Sequence, residues 1–217
     1  MSRRAAVAFS LLVLAVCHAG AATLQVQVKD AAGKPLADTV VYAISGAPFD
    51  ARKPRAPVAV EQVDREFVPY VTVIQAGTTV TFPNRDPILH HVYSFSPAKK
   101  FELPLYIGTP AAPVVFDKPG PVALGCNIHD WMVAYIYVVA TPHFAKTTAD
   151  GKAHLEGLPA GPYEARVWHP RLRGEAMTKP ITLADDEEGH ITFALSLKPE
   201  SRPAPRREPY EGPQQSG

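Results

Sequence analysis

The segment from residue 122 to residue 139, Val-Ala-Leu-Gly-Cys-Asn-Ile-His-Asp-Trp-Met-Val-Ala-Tyr-Ile-Tyr-Val-Val, indicates how the chain folds. Its two ends, Val122 to Cys126 and Val133 to Val139, are short apolar runs rich in β-branched and aromatic residues, as expected of buried strands. The tight loop between these runs carries Cys126, His129 and Met132 in the spacing C-x2-H-x2-M. The segment therefore predicts two neighbouring strands joined by a loop that carries reactive side chains.

A second chemically rich segment lies upstream, between Phe82 and Val92, and it contains the adjacent histidines His90 and His91. Cysteine, two histidines and methionine form the ligand set of a blue-copper site, in which a thiolate and two imidazoles lie in one plane and a thioether is a weak axial ligand. Each of these residues alone has an ordinary structural explanation, as a buried apolar side chain or a surface histidine. Their combined spacing favours a copper site.

The rest of the chain predicts short strands and turns. Leu24 to Lys29 alternates strictly between apolar and polar residues, as a half-buried strand does. The chain has 23 prolines against 14 glycines, a composition that disfavours long helices, and no amphipathic helix of convincing length is present. We therefore predict an all-β fold.

The central part of the chain resembles the cupredoxins, and its short loop is most similar to that of amicyanin and pseudoazurin. The resemblance is carried by Val114 to Gly120 and Leu124 to Met132, together with Thr79 to Phe82 and Asn84 to Asp86. It implies a Greek-key β-barrel or sandwich over residues 58–141, holding copper.

Carried over by position, the ligands are His90, Cys126, His129 and Met132. His91 stands where cupredoxins usually have asparagine, which leaves open which of the two adjacent histidines is the ligand. Since neighbouring strand residues face opposite ways, only one can point into the site, and the resemblance favours His90. His91 would then be a hydrogen-bond donor behind the ligands.

The longer stretch from Phe82 to Tyr137 resembles exported bacterial proteins labelled as methylamine utilization proteins, which implies a periplasmic redox setting. Residues 1–22 predict the cleaved signal peptide of such a protein, with Arg3 and Arg4 before an apolar run and small residues at 19–22. The apolar run, residues 5–16, is too short to span a bilayer. Cleavage would remove Cys17 and leave Cys126 as the only cysteine, which rules out an internal disulfide and a purple dinuclear copper centre.

The flanks of the chain resemble one carboxypeptidase-regulatory-like, or transthyretin-like, sandwich. Leu24 to Tyr42 resembles the start of such a domain, and Thr147 to Lys152 followed by Gly157 to Glu164 resembles its middle. The domain would then comprise residues 23–46 and 143–198. Two strands with one connection cannot bury a sandwich core, so we expect a discontinuous domain that is interrupted by the copper domain. A structural role is expected for it, with carbohydrate contact as a further option. Residues 46–57 predict a linker and residues 199–217 a disordered tail.

These patterns favour a periplasmic protein that carries single electrons between redox partners of the cytochrome or dehydrogenase class, and not an enzyme. The alternatives are copper delivery or storage with the same ligands, an enzyme with an open copper position, and a carbohydrate-binding-like structural module with an accessory copper site. The formal net charge of +1 gives no electrostatic footprint for nucleic acid or an anionic membrane. Ile128 and Trp131 are interpreted equally well as core residues or as an apolar contact patch beside a more exposed His129.

Overall fold

A computed structural model describes residues 20–46, 56–110 and 112–200, and this part of the chain contains strands and no helix. The predicted all-β fold is thereby confirmed. The seventeen strands are β1 (Ala21–Asp30), β2 (Val40–Ser45), β3 (Val58–Ala59), β4 (Glu61–Val63), β5 (Glu66–Val68), β6 (Val71–Gln75), β7 (Thr78–Thr81), β8 (His90–Ser96), β9 (Lys99–Tyr106), β10 (Val114–Phe116), β11 (Gly120–Gly125), β12 (Val133–Val139), β13 (Phe144–Lys146), β14 (Lys152–Pro159), β15 (Gly161–Trp168), β16 (Met177–Leu183) and β17 (Glu188–Leu195).

Several predicted segments fall wholly or mostly outside the described residues. They are most of the signal peptide at 1–22, most of the linker at 46–57 and nearly all of the tail at 199–217. Across residues 20–46, 56–110 and 112–200, no helix has the length and apolar character needed to cross a membrane.

The flanking β-body consists of β1, β2 and β13 to β17. One sheet has the order β14-β1-β17 and the other the order β13-β2-β15-β16. On β1 every second residue is buried, including Leu24, Val26 and Val28, as the alternation in the sequence predicts. These side chains share one core with residues of the second sheet such as Val41 and Val167, so the two sheets bury their apolar faces against each other.

The central β-body consists of β3 to β12. Its main sheets have the orders β10-β7-β3 and β6-β12-β11-β8-β9, and β4 and β5 form a separate hairpin. Its core contains Phe82, Phe116 and Ile136, together with Cys126 and Met132 of the loop between β11 and β12. The loop is therefore anchored from below by the same core that holds the sheets together.

The two bodies meet at β12, because the side chains on its two faces are buried in different apolar clusters. Ala134, Ile136 and Val138 point into the central core, whereas Tyr137 and Val139 belong to a third cluster with Val40, Tyr42 and Val71. Half-buried aromatic side chains from both bodies, including Tyr135 and Trp168, pack against this third cluster. A strand with period-two alternation can thus be buried on both faces.

The structure also contains strands that the sequence patterns do not predict. β9 is an edge strand that contains Pro104, and proline is tolerated at an edge because no ladder hydrogen bond is lost there. The stretch from Phe67 to Ile74 is divided between β5 and β6, on either side of Pro69 and Tyr70. These corrections leave the fold class unchanged.

Candidate metal centre

The loop between β11 and β12 is short and internally hydrogen-bonded. The N–H of Met132 donates to the carbonyl of His129 at 2.9 Å, and the N–H of Val133 donates to the carbonyl of Trp131 at 3.0 Å. Cys126 follows the last residue of β11, and Met132 precedes the first residue of β12. The loop therefore presents its polar side chains at one end of the central β-body.

Three of the predicted site residues converge. One ligand atom each from His90, Cys126 and His129 lie within 4.8 Å of one another. The Sγ of Cys126 is 3.9 Å from the Nδ1 of His129, and the rings of His90 and His129 are 4.9 Å apart between centroids. His90 is 0% exposed, whereas His129 is partly exposed. One histidine thus lies inside the protein and the other at its surface.

The two adjacent histidines of β8 have different surroundings. The Nε2 of His90 donates to Asp86 Oδ2 at 2.7 Å, so the Nδ1 of His90 carries the lone pair when the ring is neutral. That Nδ1 atom is buried and has no hydrogen-bond partner among the described residues. The ring of His91 instead faces Tyr93, and its Nε2 lies 2.9 Å from Glu102 Oε1. The cluster with Cys126 and His129 contains His90 and does not contain His91.

Met132 is fully buried in the central core, in the same cluster of side chains as Cys126. Its position directly before β12 fixes its backbone through the first residues of that strand. Met132 therefore lies beneath the loop, and its thioether is kept away from solvent.

The local electrostatics stabilise a negative charge on the sulfur. Burial alone would raise the pKa of Cys126, but His90 and the backbone N–H groups of His91, Ile128 and His129 lower it below its usual value. A thiol whose pKa is lowered forms the thiolate more readily, and the thiolate is the form that binds metal.

The two histidines respond to this field in opposite directions. Burial favours neutral His90, but the Cys126 sulfur and the Asp86 carboxylate raise its pKa above the usual value. The pKa of His129 is lowered, first by burial and then by the positive charges of His90 and Arg65. Burial likewise opposes ionisation of Asp86, yet hydrogen bonds from His90, Arg65 and Asp64 hold its pKa below the usual value.

The donor set fits a soft or borderline transition metal. A thiolate and two imidazoles suit copper or zinc, and they are poor ligands for magnesium or calcium. The Nδ1 of His90 supports this fit because it is buried and unpartnered within the cluster, whereas the Nδ1 of His91, which also has no partner among the described residues, belongs to a residue outside the cluster. Cys126, the only described cysteine, is free and buried.

Two further residues belong to this site although the sequence patterns do not assign them a role. Asp86 holds the far side of the His90 ring. Tyr106 lies opposite His90 in the β8–β9 register, donates to the carbonyl of Phe82 at 2.6 Å, and has its pKa raised to about 12, mainly by burial. The one available sequence signal was the placement of Asp86 four residues before His90.

The loop also shows how Ile128 and Trp131 divide between core and surface. Ile128 is 47% exposed and directly precedes His129. Trp131 is half-buried against the central core, its indole N–H donates to the carbonyl of Arg65 at 3.1 Å, and its ring lies 5.2 Å from that of His129. Ile128 is therefore a surface residue, and Trp131 supports His129 from the side.

Comparison with known proteins gives partial structural similarities. No protein-family model and no curated protein matches the chain. The chain is similar to a copper-containing nitrite reductase (NirK) from Thermus scotoductus SA-01, with 25% identity and a TM-score of 0.37. That similarity covers 52% of this chain but only 28% of the reductase.

Two small copper proteins are matched over almost their whole length. A purple cupredoxin from Nitrosopumilus maritimus has 24% identity and a TM-score of 0.34, covering 39% of this chain and 100% of that protein. A mutant of amicyanin, in its reduced Cu(I) form, has 21% identity and a TM-score of 0.35, covering 46% of this chain and 98% of that protein. These three solved structures are thus all of copper-containing proteins.

Proposed function

We propose that the chain is an exported, periplasmic protein that binds one copper ion and carries single electrons between redox partners without transforming a substrate. The observation that carries this proposal is the convergence of His90, Cys126 and His129 within 4.8 Å at the end of a folded β-body. Copper held by such a set cycles between Cu(I) and Cu(II), which supplies the one-electron chemistry. Met132, buried under the same loop, would be the fourth residue to hold the copper, through its thioether.

The protein contributes a site that is formed in advance. His90 is fully buried on a strand, and its ring is fixed by the hydrogen bond to Asp86. Cys126 lies in the core, and its loop is closed by backbone hydrogen bonds. A site that cannot rearrange costs little reorganisation when an electron arrives or leaves, and this favours electron transfer over the ready metal exchange that copper delivery requires.

The surface around the site suits brief contact with a partner. Leu89, Ile107 and Ile128 are 46%, 59% and 47% exposed. Leu89 directly precedes His90, Ile107 follows the β9 residue that pairs with His90, and Ile128 directly precedes His129. We propose that these three residues form an apolar contact patch around the partly exposed His129, through which a cytochrome or dehydrogenase docks.

We further propose two domains: residues 58–141 as the copper domain, and residues 23–46 with 143–198 as a structural sandwich. In support, every strand of the flanking β-body pairs only within that body. The carbohydrate-binding alternative would rest on that sandwich alone, and it predicts saccharide affinity that is independent of copper.

The test is the absorption spectrum of the copper-loaded protein with three variants. Wild type should show an intense blue thiolate-to-copper band, and Cys126→Ser should lose it while keeping its β-sheet circular dichroism. His90→Gln should lose the band and His91→Gln should keep it, because glutamine can still reach Glu102. A band that survives in Cys126→Ser would overturn the ligand assignment.

Two further measurements separate the alternatives. Slow loss of copper to a chelator together with reversible redox cycling supports the electron carrier, whereas rapid loss supports delivery or storage. N-terminal sequencing of the mature protein from a periplasmic fraction tests export, and a chain that still begins at Met1 would contradict it.

A further inference from the structure

Asp86 is a carboxylate in direct contact with a proposed copper ligand, and both of its oxygens accept hydrogen bonds from neighbouring residues. Its Oδ2 accepts from His90 Nε2 at 2.7 Å and from the backbone N–H of Arg65 at 2.9 Å. Its Oδ1 accepts from the backbone N–H of Asp64 at 2.7 Å. The Asp86 side chain is only 10% exposed and that of His90 is fully buried, so the bond between them has little competing water, whereas the bond from Asp64 lies at the surface.

The two backbone donors come from a turn built for this contact. Val63 pairs with Glu66 across the β4–β5 hairpin, so Asp64 and Arg65 are its two turn residues. Both are left-handed, with φ of 53° and 59°, as a type I′ turn requires. Asparagine, aspartate and glycine favour this conformation, so Asp64 suits the turn, whereas Arg65 stands where glycine is preferred and carries a backbone cost that surrounding contacts must offset.

The hairpin is itself tied to the segment that carries Asp86. Gln62 N–H donates to the carbonyl of Pro83 at 2.9 Å, and Arg85 N–H donates to the carbonyl of Gln62 at 2.8 Å. Within the same segment, the N–H of Asp86 donates to Asn84 Oδ1 at 2.9 Å. The position of the carboxylate is therefore determined from the hairpin and from its own backbone.

The same turn also contacts the second histidine indirectly. The carbonyl of Arg65 accepts the indole N–H of Trp131, whose ring lies 5.2 Å from that of His129. The Asp64–Arg65 turn thus contacts the surroundings of both imidazoles. It reaches His90 through Asp86 and His129 through Trp131.

We infer that Asp86, held by the Asp64–Arg65 turn, is a positioning residue that fixes the tautomer of His90 and makes its Nδ1 a stronger donor, thereby favouring Cu(II) over Cu(I). This inference rests on the proposed copper site. A carboxylate that accepts the distal N–H of a ligating histidine fixes the ring and raises its basicity. The more basic donor stabilises the higher charge of Cu(II), so the carboxylate lowers the reduction potential.

The experiment compares Asp86→Asn with Glu61→Gln in the full chain. Both variants replace a carboxylate by its amide. Glu61, however, lies on the β4–β5 hairpin and forms an exposed ion pair with Arg85, away from His90. Asp86→Asn should weaken Cu(II) binding by about 10- to 100-fold, the usual effect of losing such a partner. If Cu(I) binding is unchanged, each tenfold loss raises the reduction potential by about 59 mV. Glu61→Gln should leave both affinities close to wild type.

The electron paramagnetic resonance spectrum of the Cu(II) protein gives a second readout, because nitrogen hyperfine couplings report the orientation of the imidazole. Asp86→Ser provides the same test if the asparagine variant does not fold, since it also removes the carboxylate charge with a small polar side chain. A blue wild type in which Asp86→Asn matches the potential and spectrum of Glu61→Gln would overturn this inference alone. A wild type without the blue band would overturn the proposed function.

Discussion

Tyr42 on β2 and Tyr137 on β12 share a buried hydrogen bond between their hydroxyl groups, with the oxygens 3.0 Å apart. Their rings are 5.6 Å apart between centroids, and the ring of Trp168 lies 4.8 Å from that of Tyr137. Burial first, and then the bond to Tyr42, raise the pKa of Tyr137. A polar contact is thus placed inside the apolar interface between the flanking and the central β-body, where it fixes their relative orientation.

Removing either hydroxyl should weaken this interface. We expect Tyr137→Phe and Tyr42→Phe each to lower the free energy of unfolding by about 1 kcal/mol, because a buried hydrogen bond is lost and the other hydroxyl loses a partner. The double variant should be less destabilised than the sum of the two, with a coupling energy of about 1 kcal/mol. Urea unfolding of the copper-free proteins measures these values, and strictly additive losses would show that the hydroxyls do not interact.

Gly151 lies in the turn before β14, where a side chain has no room. Its φ is +73°, and an added Cβ would lie 2.4 Å from the carbonyl oxygen of Val28 and 3.0 Å from the nitrogen of Leu36. Gly157 has nearly the same φ, +68°, but open space around it. Gly157→Ala should cost about 1–2 kcal/mol for the left-handed backbone alone.

Gly151→Ala should cost distinctly more than Gly157→Ala, since the backbone of β1 must also move. Thermal unfolding of the two variants isolates the steric contribution. Equal melting temperatures would mean that the turn relaxes without disturbing β1.

His169 should make stability depend on pH. Burial first, and then the charge of Arg171, lower its pKa, while Asp38 and Glu200 act in the opposite direction. The folded state therefore disfavours the proton that the unfolded chain accepts near pH 6.5. The contribution of neutral His169 to the free energy of unfolding is fully present above about pH 6.5, and it is lost as the pH falls towards the lower pKa of the folded state.

His169→Asn is the matched variant for this effect. His169 Nδ1 accepts the N–H of Arg171 at 3.1 Å, and an asparagine oxygen can accept the same bond without titrating. We expect the melting temperature of wild type to fall more steeply than that of the variant between pH 7 and pH 5. Parallel curves would assign the acid sensitivity to other groups.

The apolar patch beside His129 can be tested without knowing the partner, by electron self-exchange between reduced and oxidised copies. Ile128→Glu places a charge in the encounter surface of both copies, and a penalty of about 1.4 kcal/mol would slow exchange tenfold. Phe95→Glu adds the same charge at a residue that is 77% exposed and lies five positions along β8 from His90, or about 16 Å. Line broadening in nuclear magnetic resonance spectra measures the rate, and equal slowing by both variants would place the contact elsewhere.

The strands that the sequence predicts well are those whose burial alternates. β1, with Leu24, Val26 and Val28 buried, follows its pattern residue by residue. β9 escapes prediction because Pro104 interrupts an otherwise alternating run, and only its place at a sheet edge makes the proline harmless. Whether a strand lies at an edge depends on contacts that are distant in sequence.

The same distinction applies to the candidate site. His90, Cys126 and His129 come together as their types and spacing suggest, because chemistry limits which residues can share a metal. The Asp86 carboxylate that contacts His90 is held by a hairpin turn in which Arg65 stands where glycine is typical. No local pattern predicts a left-handed turn of this composition. The hydrogen bonds by which the turn holds Asp86 can therefore be seen only in the folded structure.

The chain leaves the flanking β-body after β2 and returns to it almost where it left. Thr141 Oγ1 donates to the carbonyl of Ala43 at 2.7 Å, and the N–H of Ala43 donates to the carbonyl of His143 at 2.9 Å. An excursion whose ends are neighbours can be lengthened, shortened or exchanged without displacing the strands that frame it. Recombination could therefore graft the central β-body into another host protein, or leave behind a flanking β-body closed by a simple turn, so the two parts of this molecule are free to have separate evolutionary histories.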